Sequence, residues 1–389
     1  MRRGSLGVGV LVGALSLAAA PAAHAASWSD EPVADPAGAT ATALGGVACA
    51  GASDCLAVGR AGAGSGATSL AAGWDGSAWT LRPPAAPSGA AGDELTGVAC
   101  SGASACTAVG MLDAGAGAVP HVQRWDGRWT VQTAPAPSGA SSSRLVGVAC
   151  SSASACTAVG SFTDASGTHP LALRWSGGSW SIQTVPAPTG ATITVLSGVS
   201  CDTAENCTAV GTAYGPGAAA PVAIARSGGT GGWSIETTPL PSGASSSYLS
   251  GVACDAAGDC TAVGAATDGL TGDSVPLAMA RTSSGWSLPA SQPSLPSGAQ
   301  GGWLSAVACA STAGGCTAAG AAYDADYVTT PLAGDLGASG WTAAAPPLAS
   351  GATSGRLVSV ACSAVQECAA VGSQVDATGA ERALTELYR

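Results

Sequence analysis

Apolar residues along this chain fall in short runs of small, β-branched and aromatic side chains, separated by clusters of Gly, Pro, Ser and Asp. Such runs between turn formers predict β-strands. No window carries the 3.6-residue spacing of an amphipathic helix, so the chain reads as all-β. One stretch shows the unit: Leu145 to Cys150, Cys156 to Gly160, Pro170 to Trp175, and Trp180 to Pro186. We term these strands a, b, c and d. The five residues between the cysteines suit an a–b hairpin whose flanks face each other at disulfide distance. Asp-Gly in Trp74-Asp-Gly-Ser-Ala-Trp79 and in Trp125-Asp-Gly-Arg-Trp129 supplies a tight c–d turn. A longer Pro/Ser/Gly crossover leads from d to the next a.

The unit recurs through the chain, with first cysteines at 49, 100, 150, 201, 254, 309 and 362. From the strand d Trp to the crossover Gly is 10 residues in six cases and 12 in one, and from that Gly to the next Cys is 11 in all seven. Trp28 obeys the same rule although no a, b or c strand precedes it. The last repeat stops after its c strand, with no Trp to follow. The two ends therefore complete one unit, which a ring closed by strand exchange requires. The expected fold is a seven-bladed β-propeller of four-stranded blades, its last blade closed by the N-terminal strand, Trp28 to Val33 lying beside Ala383 to Tyr388. Strand a, rich in Gly, Val and Ala, fits the narrow axis, and the Trp row on strand d fits the wide outer edge. An open solenoid is the alternative architecture.

Fourteen cysteines fall into seven local pairs: Cys49/Cys55, Cys100/Cys106, Cys150/Cys156, Cys201/Cys207, Cys254/Cys260, Cys309/Cys316 and Cys362/Cys368. Seven pairs of nearly one spacing imply bonding within each pair, one hairpin disulfide per blade, and an oxidising compartment. Bonds across such short loops are expected mainly to pin the register of each hairpin. Residues 1–25 read as a signal peptide: Arg2 and Arg3, an apolar stretch from Leu6 to Ala20, and Ala23-His24-Ala25 as a cleavage site. Residues 26–389 are then one propeller domain, secreted to the extracellular space. No later apolar run is long enough for a membrane span. All 13 basic residues are Arg; without Arg2 and Arg3, 11 face 24 acids, a net charge of −13. That balance argues against nucleic acid as a partner.

The pattern C-x5-C-x-A-V-G, followed by W-x-G-x-x-W and P-x-P-S-G-A, resembles secreted repeat proteins of actinobacterial type assigned to β-propellers. The resemblance covers Trp28 to Arg389 and implies an architecture without an assigned activity. The Asp-Gly turns also resemble Asp-box hairpins, and the blade-end Trp those of kelch repeats. The full Asp-box pattern is absent, and Arg124, Arg174, Arg226 and Arg281, aligned at the ends of c strands, lie away from the axis where a sialidase needs its arginines.

The candidate binding face carries the d–a and b–c loops. The residue before the Leu of strand a is the most varied of the repeat: Ala43, Glu94, Arg144, Val195, Tyr248, Trp303 and Arg356. Variation inside a fixed template marks side chains freed from packing, here a ring at the channel mouth; drift of exposed loops is the competing reading. Asp113, Asp164, Asp268, Asp324 and Asp376 follow strand b, where turn-opening competes with ligand binding. Tyr323-Asp-Ala-Asp-Tyr327 departs from the other repeats, and with Trp303, Tyr248 and Tyr214 it gathers aromatics in one sector. Aromatic faces beside Asp324 and Asp326 suit sugars and also peptides.

Catalytic motifs are lacking. His121 and His169, in equivalent-looking places beside the start of strand c, are expected to cap loops. No nucleophile elbow occurs, no thiol is left unpaired, and neither a cofactor nor a metal is implied. The reading is a monomeric, non-enzymatic binding or scaffold protein for a glycan or an extracellular protein. The alternative is a carbohydrate-active hydrolase or lyase using Asp324, Asp326 or Glu94, since two acids from different blades can converge without a motif.

Overall fold

A computed structural model describes residues 27–228, 232–309, 315–337 and 340–389. The segment 1–25 read as a signal peptide lies outside the described residues. Strands dominate; the helical content among them is a single 3-10 turn, Gly64–Gly66. The strands form seven four-stranded units in a–b–c–d order, of which the third and fourth are joined by one parallel bridge at Thr168 and Ile193. None rolls into a barrel.

The third sheet shows how the repeat folds. Strand a is Ser142–Ser152, b Ala155–Asp164, c Gly167–Trp175 and d Trp180–Gln183, all antiparallel. Strand d stops short of Pro186 and is shorter than the sequence implies.

Each of the seven predicted cysteine pairs is a disulfide: Cys49–Cys55, Cys100–Cys106, Cys150–Cys156, Cys201–Cys207, Cys254–Cys260, Cys309–Cys316 and Cys362–Cys368, with Cα atoms 4.0 to 4.1 Å apart. One expectation about them needs correction. The a–b connection is not one uniform loop. In sheets 1, 3 and 7 the strands run past the cysteines and resume at Asp54, Ala155 and Glu367, giving a tighter turn than the spacing suggests. In sheets 2, 4, 5 and 6 strand b begins at the second cysteine itself, Cys106, Cys207, Cys260 and Cys316. The bonds also touch the preceding sheet. Cys156, Cys260 and Cys316 Sγ lie 3.6, 3.7 and 3.7 Å from the Thr107, Thr208 and Thr261 hydroxyls of the preceding sheets. Buried Cys106 likewise packs in a cluster with Leu56 and Val58 of the first sheet. The strand b sulfur thus fills the space between sheets, because it is the one that faces the neighbour.

A bulge interrupts strand a after its Leu in all seven sheets, as between Leu145 and Gly147. The bulge tips one strand a carbonyl onto the Gly of strand b. A Cβ on Gly320 would stand 2.0 Å from the Trp303 carbonyl oxygen, and Gly59 through Gly372 repeat the geometry. Only glycine allows this approach.

The sheets pack face to face, and seven buried clusters each draw on two consecutive sheets. The cluster holding Leu44, Leu70 and Trp74 of the first sheet also holds Val371, Ala383 and Leu387 of the last. Small residues line the inner edge, where neighbouring a strands touch backbone to backbone: a Cβ on Gly46 would meet Gly97 Cα at 2.9 Å. Between last and first sheets, Val47 N–H donates to Ser359 Oγ at 3.2 Å. The arrangement is a repeated, strand-rich, propeller-like fold with a disulfide in each repeat.

The last sheet is composite. Its a, b and c strands are Ser354–Ala364, Glu367–Val375 and Glu381–Tyr388; its outer strand is Trp28–Asp30, in register with Tyr388, Leu387 and Glu386. The expected pairing of the chain ends is therefore present, over three residues of the N-terminal segment. Trp28 stacks on Tyr388 with ring centroids 5.0 Å apart, and Arg382 reaches Asp35 at 3.2 Å.

Register corrects two alignments. The strand c residue opposite the second Cys is Trp74, Trp125 and Trp175 in sheets 1 to 3 and Arg226 and Arg281 in sheets 4 and 5. Arg226 and Arg281 thus occupy a Trp position, one residue beyond Arg124 and Arg174. His121 pairs with Gly110 as Leu171 pairs with Gly160, so it sits in a core position instead of capping a loop. His169 does cap one: its Nε2 lies 3.1 Å from Asp164 Oδ1 and 2.9 Å from Ser166 Oγ.

Candidate functional site

At the end of the sheets carrying the b–c loops, the seven varied strand a residues sit directly above the bulge. Their backbone is fixed because each carbonyl rests on the strand b glycine. The side chains differ by sector. The disulfides lie at the other end of the same strands, beside the a–b turns, so none of the fourteen cysteines reaches this mouth.

Sheets 7, 1 and 2 contribute charges. Arg60, opposite Ala43 in the first hairpin, places Nη2 2.6 Å from Glu381 Oε2 and Nε 4.0 Å from Glu94 Oε2. Arg356 Nη2 lies 3.7 Å from Glu381 Oε1 and its side chain is half exposed. These four groups border an axial cavity of about 330 Å³ walled by small residues including Gly45, Thr96 and Ser197. Arg144 of sheet 3 is exposed, without an ion pair among the described residues.

Aromatics occupy the sixth sheet, next to the last. Trp303 lies 6.4 Å from Tyr323, and Tyr327 stacks on Tyr323 at 5.4 Å. Tyr323 is buried, its ring over Gly301, where a Cβ would meet the ring at 2.2 Å, and its hydroxyl accepts from Ser274 N–H at 3.0 Å. Tyr327 is 70% exposed and holds φ +60°, a conformation unfavourable for an aromatic residue. It follows Asp324, whose Oδ1 accepts from Asp326 N–H and Val328 N–H at 3.0 Å each and fixes the turn. Asp326 is exposed beside it. Burial, with Tyr214 and Tyr323 nearby, pushes the Tyr248 hydroxyl pKa up.

Of the candidates, Glu94 and Arg356 therefore converge on the axial cavity, and Trp303, Tyr323 and Tyr327 converge with Asp324 and Asp326 beside them. Tyr248 joins the aromatic sector; Arg144 stands apart. The rim aspartates act as turn formers: Ser166 most strongly, and His169 less, hold the Asp164 carboxyl down to about 2. Arg60 and Glu381 were not among the candidates. Hairpin register was the signal available, since Arg60 sits opposite the smallest member of the ring.

A second cavity, about 480 Å³, lies on the opposite face at the junction of the last and first sheets, beside Cys49, Gln366 and Arg389. No group of three or more metal-ligating side chains occurs among the described residues, and no helix there is long and apolar enough to cross a membrane.

No family model and no curated protein matches the sequence. Similar solved structures include three that cover most of the chain. A protein of unknown function from Dyadobacter fermentans DSM 18053 shares 10% identity over 92% of this chain and 97% of its own, at a TM-score of 0.49. A mutant puromycin hydrolase complexed with PGG shares 11% identity over 87% of this chain, at a TM-score of 0.53; the match spans 53% of that protein's length. A mutant of AofleA from Arthrobotrys oligospora shares 12% identity over 82% of this chain and 90% of its own, at a TM-score of 0.49. At such identities the likeness is one of fold alone.

Proposed function

We propose that the chain is an exported, monomeric binding protein that recognises a glycan or an extracellular protein through the face bearing the d–a and b–c loops. In this reading residues 1–25 are removed and residues 26–389 form one seven-bladed β-propeller, closed by strand Trp28–Asp30. The return of the packing series from the last sheet to the first supports the ring, and seven disulfides support an oxidising, extracellular destination. The actinobacterial resemblance of the repeat fits the same picture.

One observation carries the binding role: side chains that range from aliphatic through acidic and basic to aromatic project from seven backbone positions held alike by the glycine seats. A fixed frame with varied side chains is what recognition needs and packing does not. The exposed Tyr327, held on Tyr323 in a costly backbone conformation, supports the aromatic sector as the primary contact.

The test is Trp303→Ala with Tyr327→Ala on the full chain, read by glycan array and by pull-down from extracellular fractions. Ligand retention should disappear while the thermal transition stays. Retention unchanged by both substitutions removes the proposal. Turnover of a polysaccharide by the purified protein would favour a hydrolase instead.

A further inference from the structure

The uncompensated charge of the mouth lies away from its axis. In the axial cavity two guanidinium groups, Arg60 and Arg356, meet two carboxylates, Glu94 and Glu381, and the four groups balance one another. Between Arg226 and Arg356 the chain carries eight acids and one base, Arg281. Arg281 is held by both carboxylate oxygens of Glu236 at 2.6 to 3.1 Å, and it stands opposite Cys260, at the disulfide end. At the b–c end of sheets 5 and 6, Asp268, Asp273, Asp324 and Asp326 have no cation of their own, and none forms an ion pair among the described residues.

Apolar surface coincides with that charge. A cavity of about 430 Å³ opens beside the b–c loop of sheet 6, between the Pro-rich crossovers that enter and leave the sheet. Pro296, Pro331, Pro346, Leu348 and Val328 line it together with Tyr323, and Asp324 is its one charged residue. Val328 and Tyr327, the latter stacked on Tyr323, are exposed. Leu270, 97% exposed, tops the adjoining loop of sheet 5, where Leu270 N–H and Thr271 N–H donate to Asp268 Oδ1 at 2.7 and 3.0 Å. That loop is tied to sheet 6: Gln300 Nε2 donates to Asp273 Oδ1 at 3.0 Å, and Ser274 N–H donates to the Tyr323 hydroxyl. Single exposed apolar residues are ordinary, as Val131, Ile182 and Ile235 are on the outer d strands. A cavity beside exposed Leu, Val and Tyr, on loops fixed by hydrogen bonds, is the form of a docking surface. Leu and Val lack the flat faces on which sugar rings stack, but they fit the apolar side chains of a peptide. The four carboxylates favour Lys and Arg beside those side chains and repel an acidic partner.

We infer that the surface across sheets 5 and 6 docks a basic segment of an extracellular protein. One large apolar side chain of the segment enters the cavity, and flanking Lys or Arg side chains meet Asp268, Asp273, Asp324 and Asp326. This rests on the binding reading above and names the chemistry of the partner for the same face.

Fluorescence anisotropy on the full chain tests it with three synthetic peptides of one length. The first has Lys residues around a central Leu-Phe pair, the second Glu in place of Lys, and the third Gly in place of Leu-Phe; a chitosan oligosaccharide serves as a cationic glycan. The first peptide should bind at least about tenfold more tightly than either of the others, several rim charges contributing together. Its binding should weaken by a similar factor between ~0.05 and ~0.5 M salt. Asp268→Asn, Asp273→Asn, Asp324→Asn and Asp326→Asn together keep the side-chain oxygens that accept backbone N–H groups, and should remove the salt dependence with the thermal transition kept. Leu270→Ser, at an almost fully exposed position, should weaken the peptide several-fold at either salt. Equal binding of the Lys and Glu peptides, or binding untouched by the four Asn substitutions and by Leu270→Ser, overturns the inference, as does capture of the oligosaccharide without the peptide. Should no peptide bind while array or pull-down partners are still lost on Trp303→Ala with Tyr327→Ala, the basic-segment assignment falls and the wider reading stands; retention unchanged by that pair removes the wider reading.

Discussion

The third sheet and the last sheet are built to one plan and differ in how the chain supplies them. In the third, contiguous sheet, strand c buries Leu171, Leu173 and Trp175 in an apolar row. In the last sheet, assembled from both ends, the same row is Leu384, Glu386 and Tyr388, and Glu386 stands where Leu173 does. Glu386 is fully buried, both its carboxylate oxygens lack a hydrogen-bond partner, and Asp30 lies opposite it in register. Burial first, then Asp30 and Glu31, pushes its pKa up to about 8, so at neutral pH the side chain is an uncharged acid. A sheet closed by a short added strand thus tolerates a polar group in the core by keeping it protonated. The contiguous sheet has no such dependence.

The largest expected effect comes from removing the added strand. Deleting residues 27–40 takes away Trp28, its stack on Tyr388 and the Asp35–Arg382 pair. The loss should exceed the ~4 kcal/mol typical of truncating one core Trp, such as Trp180→Ala in the third sheet. Calorimetric melting decides; a deleted chain that melts like the parent would show that the end sheet closes without that strand.

Next comes pH. Unfolded Glu386 ionises near the ordinary 4.5, whereas the folded side chain holds its proton until about 8. The native state therefore binds more protons between those values, and stability falls as pH rises through that window, by a few kcal/mol at ~1.4 kcal/mol per pKa unit. Denaturant melts at pH 5 and pH 8.5 should show the decline, Glu386→Gln should flatten it, and Leu173→Glu should install a similar decline in the third sheet. A flat profile for the parent would refute the buried-acid account.

Disulfides rank third and should erase the contrast. Each closes a loop of about seven residues, worth about 2 kcal/mol in the loop-entropy account, and the strand b sulfur meets a Thr hydroxyl of the preceding sheet in both cases. Removing Cys150/Cys156 or Cys362/Cys368 should therefore cost the same. A clearly greater loss at the second pair would mean that its disulfide also secures the composite sheet.

The smallest effect has the opposite sign. His121, buried in the second sheet, has its pKa lowered by desolvation, with Asp93 opposing. Its unfolded form protonates near 6.5 and its folded form resists, so stability is lost as pH falls below that value. His121→Leu should remove this acid-side loss in denaturant melts and leave the alkaline side unchanged.

Much of this was legible in the sequence where spacing carries structure. The cysteine pairs, the Trp-to-Gly interval and the pairing of Trp28 with the C-terminal strand follow from constant distances along the chain. What was not legible depends on register through loops of unequal length, or on packing between repeats. Counting from the c–d turns aligned Arg226 with Arg174, but the ladder places it opposite Cys207, where Trp175 faces Cys156 in sheet 3. His121 and His169 looked equivalent for the same reason. Cys260 and Cys316 announce their bonding partners by spacing, but not the threonines of the preceding sheet that they touch. Arg60 escaped notice because it lies on strand b, and Glu381 because it comes from the c strand of another sheet; only packing brings them to one cavity. The strand b glycine is plain in the sequence, yet its cause, a neighbouring carbonyl 2.0 Å from where a Cβ would be, is not.

That glycine seat has a further consequence for how such a surface can change over generations. With the main chain of each ring position set by a carbonyl wedged against glycine, replacing the side chain there leaves the frame undisturbed. Ring positions on non-adjacent sheets should then vary independently, their effects on affinity adding. The mouth works as a seven-character alphabet on a rigid tablet, and a library randomised at Ala43, Glu94, Arg144, Val195, Tyr248, Trp303 and Arg356 should yield folded members with new specificities, while the adjoining glycines stay fixed.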